Sequence, residues 1–284
     1  MRFVTVMTEQ GPRACGVFEG AYAEIDGATS MRSLLAQGPD ALKDAWRIAK
    51  QSPKRHDPAR VRLLAPVPDP SKILCIGLNY LDHAAESGMQ PPSEPILFTK
   101  YANTLIGHRE PIILPRESQE VDYEAELVVV IGKRGKHIPL ASALDHVAGY
   151  AVGHDVSARD WQLNKPGKQW TIGKTFDTFA PIGPELVTAD EVPDPHNLGI
   201  RLRLNGQTMQ DSSTAQLIFR VDALVSYLSR VMTLEPGDLI FTGTPPGVGM
   251  ARKPPVWLKP GDQVEVEIDG LGTLANPVAA DSYS

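Results

Sequence analysis

A segment near the middle of the chain, VDYEAELVVVIG at residues 121–132, places acidic side chains directly before an unbroken apolar run. In a β-strand successive side chains point to opposite faces, so Asp122, Glu124 and Glu126 share one face, with Cα atoms roughly 6.5–7 Å apart. The run 127–131 is apolar at every position, which is typical of a strand buried on both faces. Because a free carboxylate is very costly beside a buried sheet, the segment predicts a positive group or a metal ion next to these side chains.

Composition limits the classes of protein to which the chain can belong. Its 284 residues suffice for one large domain, or for a large domain with a small one, and 42% hydrophobic with 22% charged residues is typical of a globular protein. A formal net charge of −6 gives no electrostatic footprint for nucleic acid. The first residues lack an apolar core of signal-peptide length, and no apolar run approaches the roughly 18–20 residues of a membrane span. We therefore expect a cytoplasmic protein without a nucleic-acid or membrane partner.

The order of the sequence patterns indicates two parts. Residues 1–20 alternate as in a hairpin and residues 31–50 carry a helical period, which predicts a small N-terminal α/β domain. The stretch 52–72 is rich in proline and charge, which is typical of a linker. The predicted domains are therefore 1–70, including the linker, and 71–284.

Strand signals dominate the second part. The segment ILCIGLNY and residues 147–153 are predicted strands, and the Asn205-Gly206 pair in IRLRLNGQTMQ is a strong hairpin signal. The longest helical period lies at 217–232. Strands outnumber helices and hairpins recur, so the predicted fold class is α+β and mostly β, with peripheral helices, rather than a doubly wound parallel sheet.

Three carboxylates from two segments are candidate metal ligands: Glu124 and Glu126 in VDYEAELVVVIG, and Asp155 in GHDVSARD. Carboxylate oxygens suit a hard cation, so Mg²⁺ is expected, with Mn²⁺ or Ca²⁺ as replacements. Zinc is disfavoured because the chain has no cysteine or histidine cluster. The alternative is a solvated strand face on which Glu124 and Glu126 bind nothing.

A histidine and a lysine are candidate catalytic groups. In GLNYLDHAAESG, His83 and Glu86 are three residues apart, so on a helical turn they can touch, and the carboxylate can orient the imidazole as a general base. The alternative is a solvated helix with an idle histidine. In the largely apolar segment WTIGKTFDTFAPIG, Lys174 can stabilise an oxyanion or a substrate carboxylate, and the alternative is a salt bridge to Asp177.

Other catalytic motifs are missing from the chain. The glycine-rich stretch FTGTPPGVG at 241–249 lets the backbone come close to a ligand, but it matches neither the GxxxxGK[ST] nor the GxGxxG phosphate motif, and a simple turn is the alternative. There is no GxSxG, no HExxH and no cysteine with a paired histidine. Covalent catalysis is therefore disfavoured.

Seven segments follow one another in an order that is typical of a single enzyme family. They are ILCIGLNYLDHAAESG, PILFTKYANTLIG, VDYEAELVVVIG, GHDVSARDWQ, KQWTIGKTFDTFAPIGP, LNGQTMQDSST and PGDLIFTGTPPGVG. In these segments the chain resembles the fumarylacetoacetate hydrolase (FAH) family from residue 72 to its end. The wording of DVSARDWQLNKPGKQWTIGKTFDTF and KPPVWLKPGD is most similar to a subgroup with mitochondrial and bacterial members.

The resemblance implies an FAH-type mixed β-sandwich roll for the catalytic domain, usually in a homodimer, and roles for individual residues. Glu124, Glu126 and Asp155 correspond to ligands of Mg²⁺ or Mn²⁺. His83 and Glu86 correspond to a pair that activates water on a mobile lid. The remaining positions correspond to groups around the substrate: Gln162 and Lys174 near the reacting atoms, and Tyr80, Arg159, Gly243 and Thr244 along the pocket.

The activity implied by the resemblance is metal-dependent hydrolysis of a C–C bond in a 2,4-dioxo acid of the acylpyruvate type. The products are pyruvate or a related 2-oxo acid and a carboxylic acid. The same metal–enolate chemistry supports two alternatives, decarboxylation of oxaloacetate and its keto–enol tautomerisation. A remote alternative is a non-catalytic cation-binding β protein, which has no need of a general base beside the acidic residues.

Overall fold

The computed structural model describes residues 1–282, which begin with a small β-rich part. Its elements are β1 (Arg2–Thr8), β2 (Gly11–Phe18), β3 (Ala21–Glu24), α1 (Met31–Leu35), α2 (Pro39–Gln51), β4 (Arg55–His56) and β5 (Arg62–Leu64). The predicted hairpin at 1–20 is the β1–β2 pair, which closes at Thr8 and Gly11. The predicted helix at 31–50 is divided in two. Gly38, with φ 93°, is the N-cap of α2, and Pro39 is the first residue of that helix.

The remaining residues contain most of the strands. The strands are β6 (Ile73–Gly77), β7 (Ile96–Lys100), β8 (Leu105–Ile106), β9 (Ile112–Leu114), β10 (Val121–Asp122), β11 (Ala125–Ile131), β12 (Val147–His154), β13 (Ser157–Ala158), β14 (Ala180–Thr188), β15 (Gly199–Leu204), β16 (Gln207–Ser213), β17 (Leu239–Phe241), β18 (Gln263–Ile268) and β19 (Gly272–Ala280). The α-helices are α3 (Leu81–Glu86), α4 (Arg159–Asn164), α5 (Thr171–Lys174) and α6 (Val221–Val231). Short 3₁₀ turns lie at Ala102–Thr104, Leu140–Ser142, Leu144–His146, Pro166–Lys168, Ala189–Glu191, Thr214–Gln216 and Gly249–Ala251. None of the helices within residues 1–282 has the length and apolar character needed to cross a membrane.

Two mixed sheets build the fold. The larger sheet has twelve strands with the main order β4-β3-β2-β1-β14-β12-β11-β17-β6-β7, and the smaller has the order β16-β15-β18-β19-β9. Most pairs are antiparallel, whereas β17–β6, β14–β8 and β19–β9 are parallel. The smaller sheet packs on β11, β12 and β14. The predicted α+β, mostly β fold class is confirmed.

The larger sheet continues from the N-terminal part into the rest of the chain. Strand β1 pairs with β14 through Phe3 and Leu186, and the buried faces of α1 and α2 belong to the same apolar cluster as residues of this sheet. The domain boundary at residue 70 stays a prediction, and the last two residues of the predicted second domain lie outside the described range. The two predicted domains share one hydrogen-bonded sheet.

The acidic segment differs from the continuous strand predicted over 121–131. Strand β10 ends at Asp122 and β11 begins at Ala125, and all seven residues of β11 are buried between β12 and β17. Asp122 pairs in register with Ser157 of β13, outside the β11 ladder. The interruption separates Asp122 from the face that the period of two predicted for it, and the candidate metal-binding group contains Glu124, Glu126 and Asp155 without Asp122.

Candidate active site and metal centre

Three buried carboxylates meet at one end of the central strands. Strands β11 and β12 are antiparallel with Ala125 opposite His154, so the residue before β11, Glu124, and the residue after β12, Asp155, emerge side by side. The backbone N–H of Asp155 donates to the carbonyl of Glu124 at 2.9 Å. One oxygen from each of Glu124, Glu126 and Asp155 lies within 4.8 Å of the others. The sheet register thus assembles the predicted acidic triad.

Buried cations surround this triad. Lys174 Nζ lies 2.6 Å from Glu124 Oε2 and 2.8 Å from Asp155 Oδ2, and Arg159 Nη2 lies 2.6 Å from Glu124 Oε1. The alternative salt bridge between Lys174 and Asp177 is not among the ion pairs of the described residues. Asp177 Oδ1 instead accepts a hydrogen bond from Asn103 at 2.7 Å. Burial alone would raise the pKa of Glu124, yet Arg159 and Lys174 hold that pKa well below its usual value.

Lys100, at the end of β7, forms a second layer behind Asp155. Its ammonium donates to the backbone carbonyls of Val156, Lys174 and Phe179 at 2.5–3.0 Å. These bonds use its three N–H groups, so the 2.7 Å contact with Asp155 Oδ1 is an ion pair rather than a further directed hydrogen bond. Lys100 therefore balances the charge of Asp155 from inside the fold.

Glu126 differs from the other carboxylates. It accepts a hydrogen bond from the backbone N–H of Gly243 at 2.7 Å, and within residues 1–282 it forms no ion pair with a lysine or arginine. Burial and the charges of Asp155 and Glu124 raise the pKa of Glu126 well above its usual value. A set of buried oxygen ligands with one uncompensated carboxylate fits a hard divalent cation such as Mg²⁺, Mn²⁺ or Ca²⁺.

The predicted histidine–carboxylate pair forms on helix α3. His83 Nδ1 lies 3.0 Å from Glu86 Oε2, and Glu86 Oε1 accepts the backbone N–H of Gly247 at 2.9 Å. When Glu86 accepts the Nδ1 proton, Nε2 is left unprotonated and basic. The stretch 241–249 links this pair to the acidic triad, because Gly247 donates to Glu86 and Gly243 donates to Glu126. The predicted base and the candidate metal centre therefore contact the same loop.

The glycine-rich stretch at 241–249 forms a wall of the site. Gly243 has φ 100°, and a Cβ there would lie 2.8 Å from the Cβ of Asn79, so glycine is needed for this close approach. Thr244 Oγ1 accepts a hydrogen bond from Gln210 Nε2 at 2.9 Å, and Gln210 Oε1 accepts the N–H of Ala125 at 2.8 Å. Gln210 thus ties this loop to the strand that carries Glu126.

The other predicted substrate-side residues are also buried near the cluster. Arg159 is held by Asp122 Oδ2 at 2.8 Å as well as by Glu124, and its Nη1 donates to Gln162 Oε1 at 3.0 Å. The Tyr80 side chain is fully buried, and no hydrogen-bond partner of its hydroxyl lies in the described part of the chain. The guanidinium of Arg159 is therefore part of the charge network, whereas the Tyr80 hydroxyl is an unused donor.

Sequence reasoning missed three residues that organise the site. Lys100 had a weak signal, because a lysine that ends the apolar strand ILFTK is unusual in a buried sheet. Asp122 was recognised as acidic, but its partners are Arg159 and the backbone N–H groups of Gly249 and Met250. Gln210 carried no local signal, since its partners are far away in sequence.

Buried ionisable groups are costly, and they cluster in proteins where chemistry requires them. The mixed β fold and its charged centre therefore define a class, an enzyme with a buried carboxylate site. The chain belongs to the fumarylacetoacetate hydrolase family: residues 72–279 match the family described as "Fumarylacetoacetate (FAA) hydrolase C-terminal".

Individual relatives narrow this assignment to the FAHD2 subgroup. The chain is 54% identical over 248 residues to "Oxaloacetate tautomerase fahd2, mitochondrial" of Xenopus laevis, covering 87% of this chain and 78% of that one. It is 47% identical to the "Fumarylacetoacetate hydrolase domain-containing protein 2 homolog" of Dictyostelium discoideum, over 97% of this chain and 95% of that one. Among solved structures, the fumarylacetoacetate hydrolase of Exiguobacterium antarcticum superposes with a TM-score of 0.87 at 35% identity, covering 99% and 100% of the two chains.

Proposed function

We propose that the site catalyses keto–enol tautomerisation of oxaloacetate or of a closely related 2-oxo dicarboxylate. The observation that carries the proposal is the 3.0 Å contact between His83 and Glu86 beside the buried carboxylates. The Xenopus laevis relative, which is named an oxaloacetate tautomerase, supports the same reaction. This reverses the order in the sequence analysis, which placed C–C hydrolysis first and tautomerisation among the alternatives.

Tautomerisation moves one proton between C3 and the oxygen on C2, and no C–C bond breaks. His83 takes the C3 proton at Nε2, while Glu86 holds the imidazole and stabilises its positive charge. The electron pair of the C3–H bond becomes the C2=C3 π bond while the π pair of C2=O moves onto the oxygen, which then takes the proton from the His83 imidazolium to give the enol. A divalent cation held by Glu124, Glu126 and Asp155 supplies Lewis-acid stabilisation of negative charge on that oxygen.

The substrate's carboxylates require donors, and two side chains of the site retain one. Gln162 accepts from Arg159 through its carbonyl oxygen, so its amide N–H₂ is left to donate. Thr244 accepts from Gln210, so its own O–H is left to donate. Lys174 and Arg159 keep Glu124 ionised, which preserves it as a ligand.

The test follows the enol absorbance of oxaloacetate together with pyruvate and CO₂, using protein stripped of metal and then loaded with Mg²⁺ or Mn²⁺. We expect metal-dependent interconversion of keto and enol forms without release of either product. If CO₂ and pyruvate appear in step with the loss of enol, the enzyme is instead a decarboxylase, and the proposal is wrong.

A second candidate activity is hydrolysis of the C–C bond of an acylpyruvate. The observation that favours it is the same His83–Glu86 pair, which can also deprotonate water for attack on a carbonyl carbon. Acylpyruvates in the same assay distinguish the two reactions, because hydrolysis yields pyruvate and a second carboxylic acid in equal amounts. The homodimer and the cytoplasmic location stay predictions.

A further inference from the structure

A cleft outside this site lies where the N-terminal part meets the rest of the chain. Its volume is about 470 Å³, within the range of small-molecule pockets. It is lined by linker residues 58–63, by the turn at 108–110, by β14 residues 184–185 and by Tyr22 of β3. None of these residues belongs to the carboxylate centre, so the cleft needs an explanation of its own.

Both carboxylates of the cleft already have partners. Glu110 Oε1 accepts from Arg62 Nε at 2.7 Å, and Glu110 Oε2 accepts the backbone N–H of Gly107 at 2.7 Å. Glu185 Oε2 lies 2.9 Å from Arg2 Nη1. Each of the two acidic side chains therefore already has a basic partner within the fold.

Arg109 is a basic side chain of the cleft that has no acidic partner within the described residues. Within residues 1–282 its guanidinium makes neither an ion pair nor a hydrogen bond, although it lines the cleft. Its backbone has φ 67°, a left-handed conformation that is uncommon for a long side chain, and its N–H donates to the carbonyl of Ala275 at 2.7 Å. A strained backbone that is held in place at a cleft is typical of a functional position.

Two neutral donors line the cleft with Arg109. His108 Nδ1 accepts the N–H of Ala275 at 3.0 Å, which fixes the tautomer with its proton on Nε2. Burial and the charge of Arg109 lower the pKa of His108 to about 4, so the imidazole stays neutral near pH 7. The Tyr22 hydroxyl stays protonated, because burial and the charge of Glu185 raise its pKa. Tyr22, His108 and Arg109 line the same cleft.

We propose that this cleft binds a small oxyanion of the carboxylate or phosphate class. Arg109 is the charged anchor, and His108 Nε2–H and the Tyr22 hydroxyl are the neutral donors. A guanidinium without a partner in the described residues and two neutral donors that line the same cleft suit an anion with several acceptor oxygens. Arg60 also lines the cleft, but it is exposed and its Nε lies 3.7 Å from Asp57 Oδ2, so it is not counted as an anchor. The inference does not depend on the reaction proposed for the carboxylate centre.

The test is calorimetric titration of the Mg²⁺-loaded protein at low ionic strength. Sulfate serves as the tetrahedral probe and succinate as the dicarboxylate probe, so the two arms separate phosphate-type from carboxylate-type ligands. Wild type is compared with Arg109→Gln. The matched control is Arg47→Gln, which removes the same charge from the exposed surface of α2, where Arg47 pairs with Asp44. We expect saturable binding of at least one probe by wild type and by the control, and binding at least about tenfold weaker in Arg109→Gln.

A second variant distinguishes a loss of binding from misfolding. Tyr22→Phe removes one donor and keeps the ring, so severalfold weaker binding is expected with an unchanged unfolding midpoint. A probe that binds wild type and Arg109→Gln equally is bound outside the cleft, and if this holds for both sulfate and succinate the assignment is overturned. Wild type that binds neither probe saturably overturns it as well.

Discussion

The carboxylate centre and helix α3 contribute to one site but are built differently. In the centre, Asp155 and Lys174 expose 0% and 3% of their side chains and are held by several charged partners on central strands and adjoining segments. On α3, a helix of six residues without a side-chain cap, His83 and Glu86 expose 13% and 26%. The centre is rigid because its groups cannot move without exposing or unpairing buried charge, whereas α3 can adjust at little cost.

The difference separates the roles that each region can have. In the proposed mechanism, the buried charge network determines the stability of the fold and the affinity for a cation, and the histidine on the short helix determines the rate of proton transfer. Variants of the centre should therefore change stability or metal binding, and variants of α3 should change turnover alone.

The largest effect is expected for Lys174→Met in metal-free protein. This substitution leaves Glu124 and Asp155 without a shared buried partner, so the free energy of unfolding should fall by about 3–5 kcal/mol. Urea denaturation measures it, and Lys43→Met on the exposed face of α2 is the control without measurable change. Stability equal to wild type would show that the network does not need the ammonium.

The next effect is kinetic and concerns α3. His83→Asn should lower tautomerisation by about 10²–10⁴, the usual contribution of a general base, with Mg²⁺ affinity and unfolding midpoint unchanged. His137→Asn, at an exposed position, is the control with normal turnover. A loss of metal binding in His83→Asn would contradict the separation of roles between the two regions.

The third prediction concerns Glu126, the candidate metal ligand of the centre that has no cationic partner. Glu126→Gln keeps an acceptor for the N–H of Gly243 but removes a ligand charge, so Mg²⁺ affinity measured by calorimetry should fall at least about 100-fold. Because Glu126 has no cationic partner, stability of the metal-free protein should not fall, unlike in Lys174→Met. Exposed Glu117→Gln is the control, and wild-type affinity in Glu126→Gln would refute the ligand assignment.

The smallest effect is expected for the pH dependence of stability, through His108. The pKa of His108 is lowered from 6.5 to about 4 by burial and by Arg109, so within this window the unfolded chain binds a proton that the folded chain does not. Stability therefore falls as the pH falls through the window. His108→Asn retains an acceptor for Ala275 and removes this contribution, so its urea midpoint should decline less steeply with falling pH. Parallel pH profiles for the two proteins would argue against the shift.

Local patterns pointed to the candidate residues of the centre, and the family resemblance supplied the roles predicted for them. The period of two placed Glu124 and Glu126 together, the apolar run placed them against a buried sheet, and the helical spacing brought His83 to Glu86. These features depend on neighbours within about four residues, and the geometry of strands and helices determines such neighbours.

The partners that hold these groups were decided by the tertiary structure. Lys100 pairs with Asp155, which is 55 residues away in sequence. Gln210 accepts from the N–H of Ala125, 85 residues away, and donates to Thr244, 34 residues away. Two further features depend on sheet register and closure. They are the break after β10, which lets Asp122 pair with Arg159, and the pairing of β1 with β14. The sequence determined which groups must be buried together because each has its own desolvation cost. Only the assembled sheets decided which opposite charge meets each one, because that choice depends on contacts between segments that no local period specifies.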